Sequence, residues 1–141
     1  MPNPVLFPQS PRPLRNLLRP LGAPAAGMAV EQQFLEVIAS NIANVETTHT
    51  PEGGAYKRQV AVSERDPATG QFQTRVVEDA QPGRKVYDPG HPDADADGFV
   101  TYPNVDLNTE LVDLMIARRI HEANATVFQA AKSMLKRALD I

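Results

Sequence analysis

The chain has 141 residues, one domain's worth of protein, with a formal net charge of −3 and no cysteine or tryptophan. The slight acidity excludes a dominant electrostatic attraction to nucleic acid. The lack of cysteine excludes disulfides and thiolate metal sites, and no apolar run approaches the ~20 residues that a membrane span needs.

The first 24 residues carry seven prolines, three arginines (Arg12, Arg15, Arg19) and no acidic residue. Pro8, Pro11, Pro13, Pro20 and Pro24 interrupt the continuous apolar helix of a secretory signal, so residues 1–24 are predicted to form an extended basic arm. Any export would then use a route that cleaves no signal peptide. Residues 25–46 predict a first helix. Met28, Leu35, Ile38, Ile42 and Val45 follow a heptad-like spacing, interrupted by Glu31, that fits a coiled-coil seam.

Residues 47–103 change character. Thr50-Pro51-Glu52-Gly53-Gly54 and Asp66-Pro67-Ala68-Thr69-Gly70 are turn sequences, with proline setting φ and glycine supplying positive φ. Alternating residues from Tyr56 to Val62, and again at Phe72, Thr74 and Val76, predict a small β-hairpin, with short strands at 85–87 and 99–102.

Residues 104–141 contain neither glycine nor proline and predict one unbroken helix of roughly 55 Å at ~1.5 Å per residue. Two apolar stripes run along it. One comprises Ile116, Ile120, Ala123, Val127, Ala130, Met134 and Ile141. The other holds Leu107, Leu111, Leu114, Ala125, Phe128, Leu135 and Leu139, interrupted by Arg118, His121 and Lys132. Two stripes mark a helix contacted from more than one side. The first helix, spanning about 30 Å, covers only part of it. Leaving five or six aliphatic side chains wet forfeits on the order of 10 kcal/mol, so neighbouring chains are expected to complete the fold. The predicted class is mainly α: N- and C-terminal helices paired in a coiled-coil-like hairpin, with a small β-hairpin and loop insert between them.

Candidate chemistry is sparse. Asp93-Ala94-Asp95-Ala96-Asp97-Gly98 matches the first half of a calcium loop, but the twelfth position is Asn104 and not the bidentate glutamate such a loop needs. A solvated acidic turn is the preferred reading and a small calcium-binding module the rival one. His49, His91 and His121 share no metal-ligand spacing, and no nucleophile elbow or phosphate-binding glycine loop is present. No catalytic, cofactor or metal residue is therefore assigned, and the expected role is structural, without a cofactor.

Three stretches carry a resemblance. Ser40-Asn41-Ile42-Ala43-Asn44, with Thr47-Thr48 and Thr50 to Tyr56, is similar to the N-terminal signature of flagellar rod and hook axial proteins. Val86-Tyr87-Asp88-Pro89-Gly90-His91-Pro92-Asp93-Ala94, followed by Gly98-Phe99-Val100 and Pro103-Asn104-Val105, resembles the central loop of the FlgC rod proteins within that family. Glu110 to Met115, Glu122-Ala123-Asn124 and Ala131-Lys132-Ser133-Met134 resemble their C-terminal helix. The chain departs from the family pattern in its proline-rich arm and in Ile120-His121, where an aromatic residue commonly precedes Glu-Ala-Asn.

The resemblance implies a subunit of the proximal rod of the bacterial flagellar basal body, in the periplasm, delivered uncleaved by the flagellar type III export apparatus. Its implied partners are other rod subunits and copies of itself, with no nucleic acid and no membrane insertion. Another rod or hook-related axial component is the alternative. The expected assembly interface is Ile116, Ile120, Val127 and Met134 for packing, with Asn41, Asn44 and Asn124 for helix-end and interhelical hydrogen bonds.

Overall fold

The computed structural model describes residues 12–140. Their order is α1 (Arg12–Ala43), β1 (Gln59–Arg65), β2 (Phe72–Glu78), β3 (Lys85–Tyr87), β4 (Phe99–Thr101) and α2 (Leu107–Leu139). The two helices pack against one another, and α1 also contacts β1 and β2.

Helix α2 is bounded by its own sequence. Asp106 sits at the N-cap with φ −97° and ψ 111°, and its carboxylate accepts the Thr109 N–H at 3.0 Å, satisfying one of the free amides of the first turn. Lys136 and Arg137 lie in the last turn, where positive charge complements the helix dipole.

Helix α1 begins at Arg12, thirteen residues earlier than predicted, so residues 12–24 are helical and not an extended arm. Pro13 falls in the first turn, where its missing N–H removes no intrahelical bond. Pro20 and Pro24 are interior but four residues apart, so their missing donors align on one side of the helix. Leucines and arginines, both favourable in helices, fill most positions between Pro13 and Pro20. The rest of the predicted arm, residues 1–11, lies outside the described residues. The early start also removes the expected mismatch in length: α1 has 32 residues and α2 has 33.

The expectation of a mainly α chain with one small hairpin insert is overturned. The segment between the helices forms two separate antiparallel sheets of two strands each, so the fold is two helices plus two small sheets. In the first, Gln59 pairs with Glu78 and Arg65 with Phe72. Its turn is closed by the Asp66 carboxylate, which accepts the Ala68 N–H at 2.8 Å, and by Gly70 at φ 70°. In the second, Lys85 pairs with Thr101 and Tyr87 with Phe99 across the acidic loop. Pro82-Gly83 separates the sheets. A side chain at Gly83 would collide with the Tyr102 carbonyl, so the chain crosses there at closest approach to β4's exit.

The core is thin. Val37 and Ile38 of α1, Ala61 of β1, Val100 of β4, Val105 and Ala117 of α2 are its buried apolar members. Beside them lie two fully buried polar side chains, Asn41 and Glu110.

Candidate assembly surface and its buried anchor

One face of α2 turns toward the rest of the chain. Glu110, Leu114, Ala117, His121, Asn124, Phe128, Ala131 and Leu135 recur at three- and four-residue spacing and are all buried or half-buried. On α1 the matching positions include Val30, Phe34, Val37, Ile38 and Asn41. Gly27 lies opposite Asn124, whose amide approaches to 3.4 Å of where a Cβ would stand. With Asn41 bonded to Glu110, this sets α1 and α2 antiparallel.

The other stripe of α2 faces outward. Ile116, Ile120, Val127 and Met134 are 53, 43, 55 and 65 % exposed. Val112 and Met115 extend the exposed apolar surface toward the start of the helix. The four packing residues singled out from sequence therefore share one solvent-facing surface, and Phe128 and Leu135 of the second stripe supply the contact with α1's side.

The asparagines lie elsewhere. Asn41 is 1 % exposed and uses both ends of its amide within the chain. Its Nδ2 donates to the Gln59 carbonyl at 2.8 Å and to Glu110 Oε2 at 3.2 Å. Its Oδ1 accepts from the Gln59 N–H at 2.9 Å and the Tyr56 hydroxyl at 3.0 Å. Asn44 caps the end of α1, donating to the Ser40 carbonyl at 2.8 Å and accepting from Thr47 Oγ1 at 3.1 Å. Asn124 is half-buried on the α1-facing side. None of the three is part of the outward stripe.

Around Asn41 the structure builds a junction that no sequence motif announced. Arg58, just before β1, donates from Nε to Glu110 Oε1 at 2.6 Å, and its Nη1 stands 3.6 Å from Asp79 Oδ2. Its backbone N–H donates to Asn104 Oδ1 at 3.0 Å. Burial pulls the guanidinium's pKa down, but the hydrogen bond and charge of Glu110, followed by the charge of Asp79, outweigh it. The net shift is upward, and Arg58 stays charged. A charge on the inner face of α2, seven residues before Ala117, is the signal that could have revealed the junction, because a buried carboxylate requires a partner. Side chains from α1, the pre-β1 segment, the β2 exit and α2 thus converge at the end of the hairpin where α1 leaves and α2 enters.

The acidic loop is organised by its own backbone. Asp95 Oδ1 accepts the N–H of Asp97 at 3.0 Å and of Phe99 at 2.8 Å. Asp93 accepts from Thr48 Oγ1 at 2.7 Å, and the Asp93 N–H donates to His91 Nδ1 at 3.1 Å. Gly98, at φ 82°, closes the loop against Tyr87. Among the described residues no group of three His, Cys, Asp or Glu side chains is placed to hold a metal ion. His49 is exposed beside Asp93, and His121 is half-buried on the inner face of α2.

Known proteins share this arrangement of sequence. The family model described as flagella basal body rod protein matches residues 25–48, and that of the flagellar basal body rod FlgEFG protein C-terminal region matches residues 96–141. The flagellar basal-body rod protein FlgC of Salmonella typhimurium is 37 % identical over 121 residues, covering 82 % of this chain and 90 % of the relative. The chain belongs to the FlgC family of flagellar basal-body rod proteins. FlgC of Borreliella burgdorferi is 35 % identical, covering 89 % of this chain and 97 % of its own, and FlgC of Bacillus subtilis is 31 % identical, covering 86 % and 95 %. The two rod-model matches take in the second half of α1 and, at the other end, β4 with all of α2. Asn41 and Glu110 fall inside them, whereas Arg58 lies in the stretch between. Among the described residues no helix is long and apolar enough to cross a membrane.

Proposed function

We propose that this FlgC-family chain is a structural subunit of the proximal rod, joined to copies of itself and to other rod subunits through the outward stripe of α2. The observation that carries this is the exposure of Ile116, Ile120, Val127 and Met134 along one face of a helix whose adjoining side is already occupied by α1. Four aliphatic side chains each worth ~1.5–3 kcal/mol on burial are a strong drive toward a neighbour. The buried junction holds α1, β1 and α2 in fixed relation, which suits a part that transmits torque without chemistry of its own.

In this reading the chain reaches the periplasm through the flagellar type III apparatus and works there without a cofactor. Family membership and the assembly surface support it. Val127→Asp tests it: the isolated protein should keep its stability, while rod assembly and swimming are lost. Normal swimming by Val127→Asp cells would sink the assignment of this stripe.

A further inference from the structure

The second sheet has one edge that is open along its length. The Tyr102 N–H donates to the Arg84 carbonyl at 2.8 Å, and the Asp88 N–H to the Gly98 carbonyl at 2.9 Å. Bonded pairs alternate along an antiparallel ladder, so Val86 and Val100 form the bonded pair between them. The N–H and C=O groups of Lys85 and Tyr87 therefore point away from β4, and among the described residues they find no partner. All three residues of β3 are exposed. The opposite edge is closed at Phe99, whose N–H donates to Asp95 Oδ1 and whose carbonyl accepts the Asp95 N–H, both at 2.8 Å. The outer edge of β2 is unpaired too, but its charges are already matched, Arg75 to Glu64 and Glu78 to Lys57, and select no occupant.

The β3 edge does select one. Tyr87 is 65 % exposed and packs edge-on against Phe99, offering an aromatic surface that suits a guanidinium. Residues 86–113 hold seven acidic residues and no lysine or arginine. Of these, Asp88, Asp95 and Asp97 have no ion-pair partner among the described residues. Lys85, two residues before Tyr87 and on the same face, is exposed and likewise unpaired. The edge thus runs from a positive charge to an aromatic ring bordered by negative ones. We propose that β3 takes up an extended segment of another protein as an added antiparallel strand, with an arginine opposite Tyr87 and an acidic residue two positions later opposite Lys85. Those two segment residues exchange N–H···O=C bonds with Tyr87 and Lys85, which supplies affinity, while the charges supply selectivity. The residue between them turns its own N–H and C=O away. This surface is separate from the outward stripe of α2 and does not depend on it.

The probe is the peptide acetyl-Thr-Arg-Val-Glu-Thr-amide, added in excess to the wild-type chain while amide hydrogen exchange is followed by NMR. Exchange at Lys85 and Tyr87 should slow several-fold, and the effect should shrink as salt is raised. Methylating the backbone nitrogens of the peptide's arginine and glutamate should abolish it, whereas methylating that of its valine should leave it intact. Replacing the peptide's arginine by glutamate should weaken binding several-fold. Unchanged exchange at Lys85 and Tyr87, or equal tolerance of every methyl group, would overturn strand addition. Equal binding without the arginine would overturn the assigned occupant. So would slowing that follows the chain's own concentration with no peptide present, which would give the edge to a second copy. None of these outcomes bears on the rod reading, which Val127→Asp tests separately.

Discussion

Asn41 Nδ2 lies 3.2 Å from Glu110 Oε2, joining the end of α1 to the first turn of α2 across 69 positions of sequence. The same amide group holds the Gln59 backbone by both its N–H and its carbonyl. Only a side chain with a donor and an acceptor at that spacing serves all these partners.

Replacing this amide is therefore expected to cost more with a charge than with nothing. Asn41→Ala leaves buried partners unsatisfied and should cost about 1–3 kcal/mol. Asn41→Asp removes the donor and sets a second carboxylate against Glu110, so its loss should exceed that of Asn41→Ala. Urea denaturation of the two variants gives the comparison, and the reverse order would refute this account of the junction.

Glu110 is 1 % exposed and faces Arg58, which is one-quarter exposed. Glu110→Ala leaves the guanidinium with only the longer Asp79 contact and should cost about 1–3 kcal/mol by the same measurement. Arg58's raised pKa means its contribution is present below the unfolded value and lost only as pH climbs through the higher native one. Both lie above the ordinary range, so the Arg58 side of the pair should add no pH dependence near neutrality.

Strong acid should weaken the α2 cap. The Asp106 carboxyl is held below its ordinary value of 3.8, chiefly by the hydrogen bond from the Thr109 N–H. Its stabilisation is complete above 3.8 and disappears as pH falls through the lower native value. Asp106→Asn keeps an accepting oxygen without a titrating one. Thermal melts from pH 5 to pH 2 should show a shallower decline for Asp106→Asn than for the parent chain.

At Gly98 the backbone requirement is absolute in kind. Its φ is 82°, and an added Cβ would stand 2.9 Å from the Tyr87 ring and 3.2 Å from Pro89 Cβ. Gly98→Ala should cost about 1–2 kcal/mol for the left-handed conformation alone, and more from the ring contact. The near-ultraviolet signal of Tyr87, which packs edge-on against Phe99 at 5.3 Å, should change with it.

Local rules made much of this chain readable. The run without glycine or proline from Asn104 onward yields α2, and the turn residues at 66–70 place β1 and β2 within a few positions of expectation. Prolines 13, 20 and 24 misled because one falls in a helix's first turn and the other two align on a single side. The second sheet was missed as a unit because its two three-residue strands meet only when the loop between them has folded.

Two helical stripes of similar composition could be seen, but not that α1 would cover neither whole: of the second, Leu114, Phe128 and Leu135 turn inward while Leu107, Leu111 and Leu139 stay exposed. That depends on where Asn41 and Glu110 anchor the pair. Arg58 escaped notice because its partner lies 52 residues away. Ion pairs at that separation leave no spacing to recognise.

The prolines of α1 carry a mechanical consequence. With no N–H at Pro20 and Pro24, the carbonyls of Asn16 and Pro20 lose their usual donors, and a helix yields most readily where such bonds are absent. The far end of the hairpin, by contrast, is clamped by Asn41, Arg58 and Glu110. Each subunit is thus stiff at one end and compliant at the other. A shaft made of such parts should take up bending around Pro20 and Pro24 of α1 and spare the junction geometry.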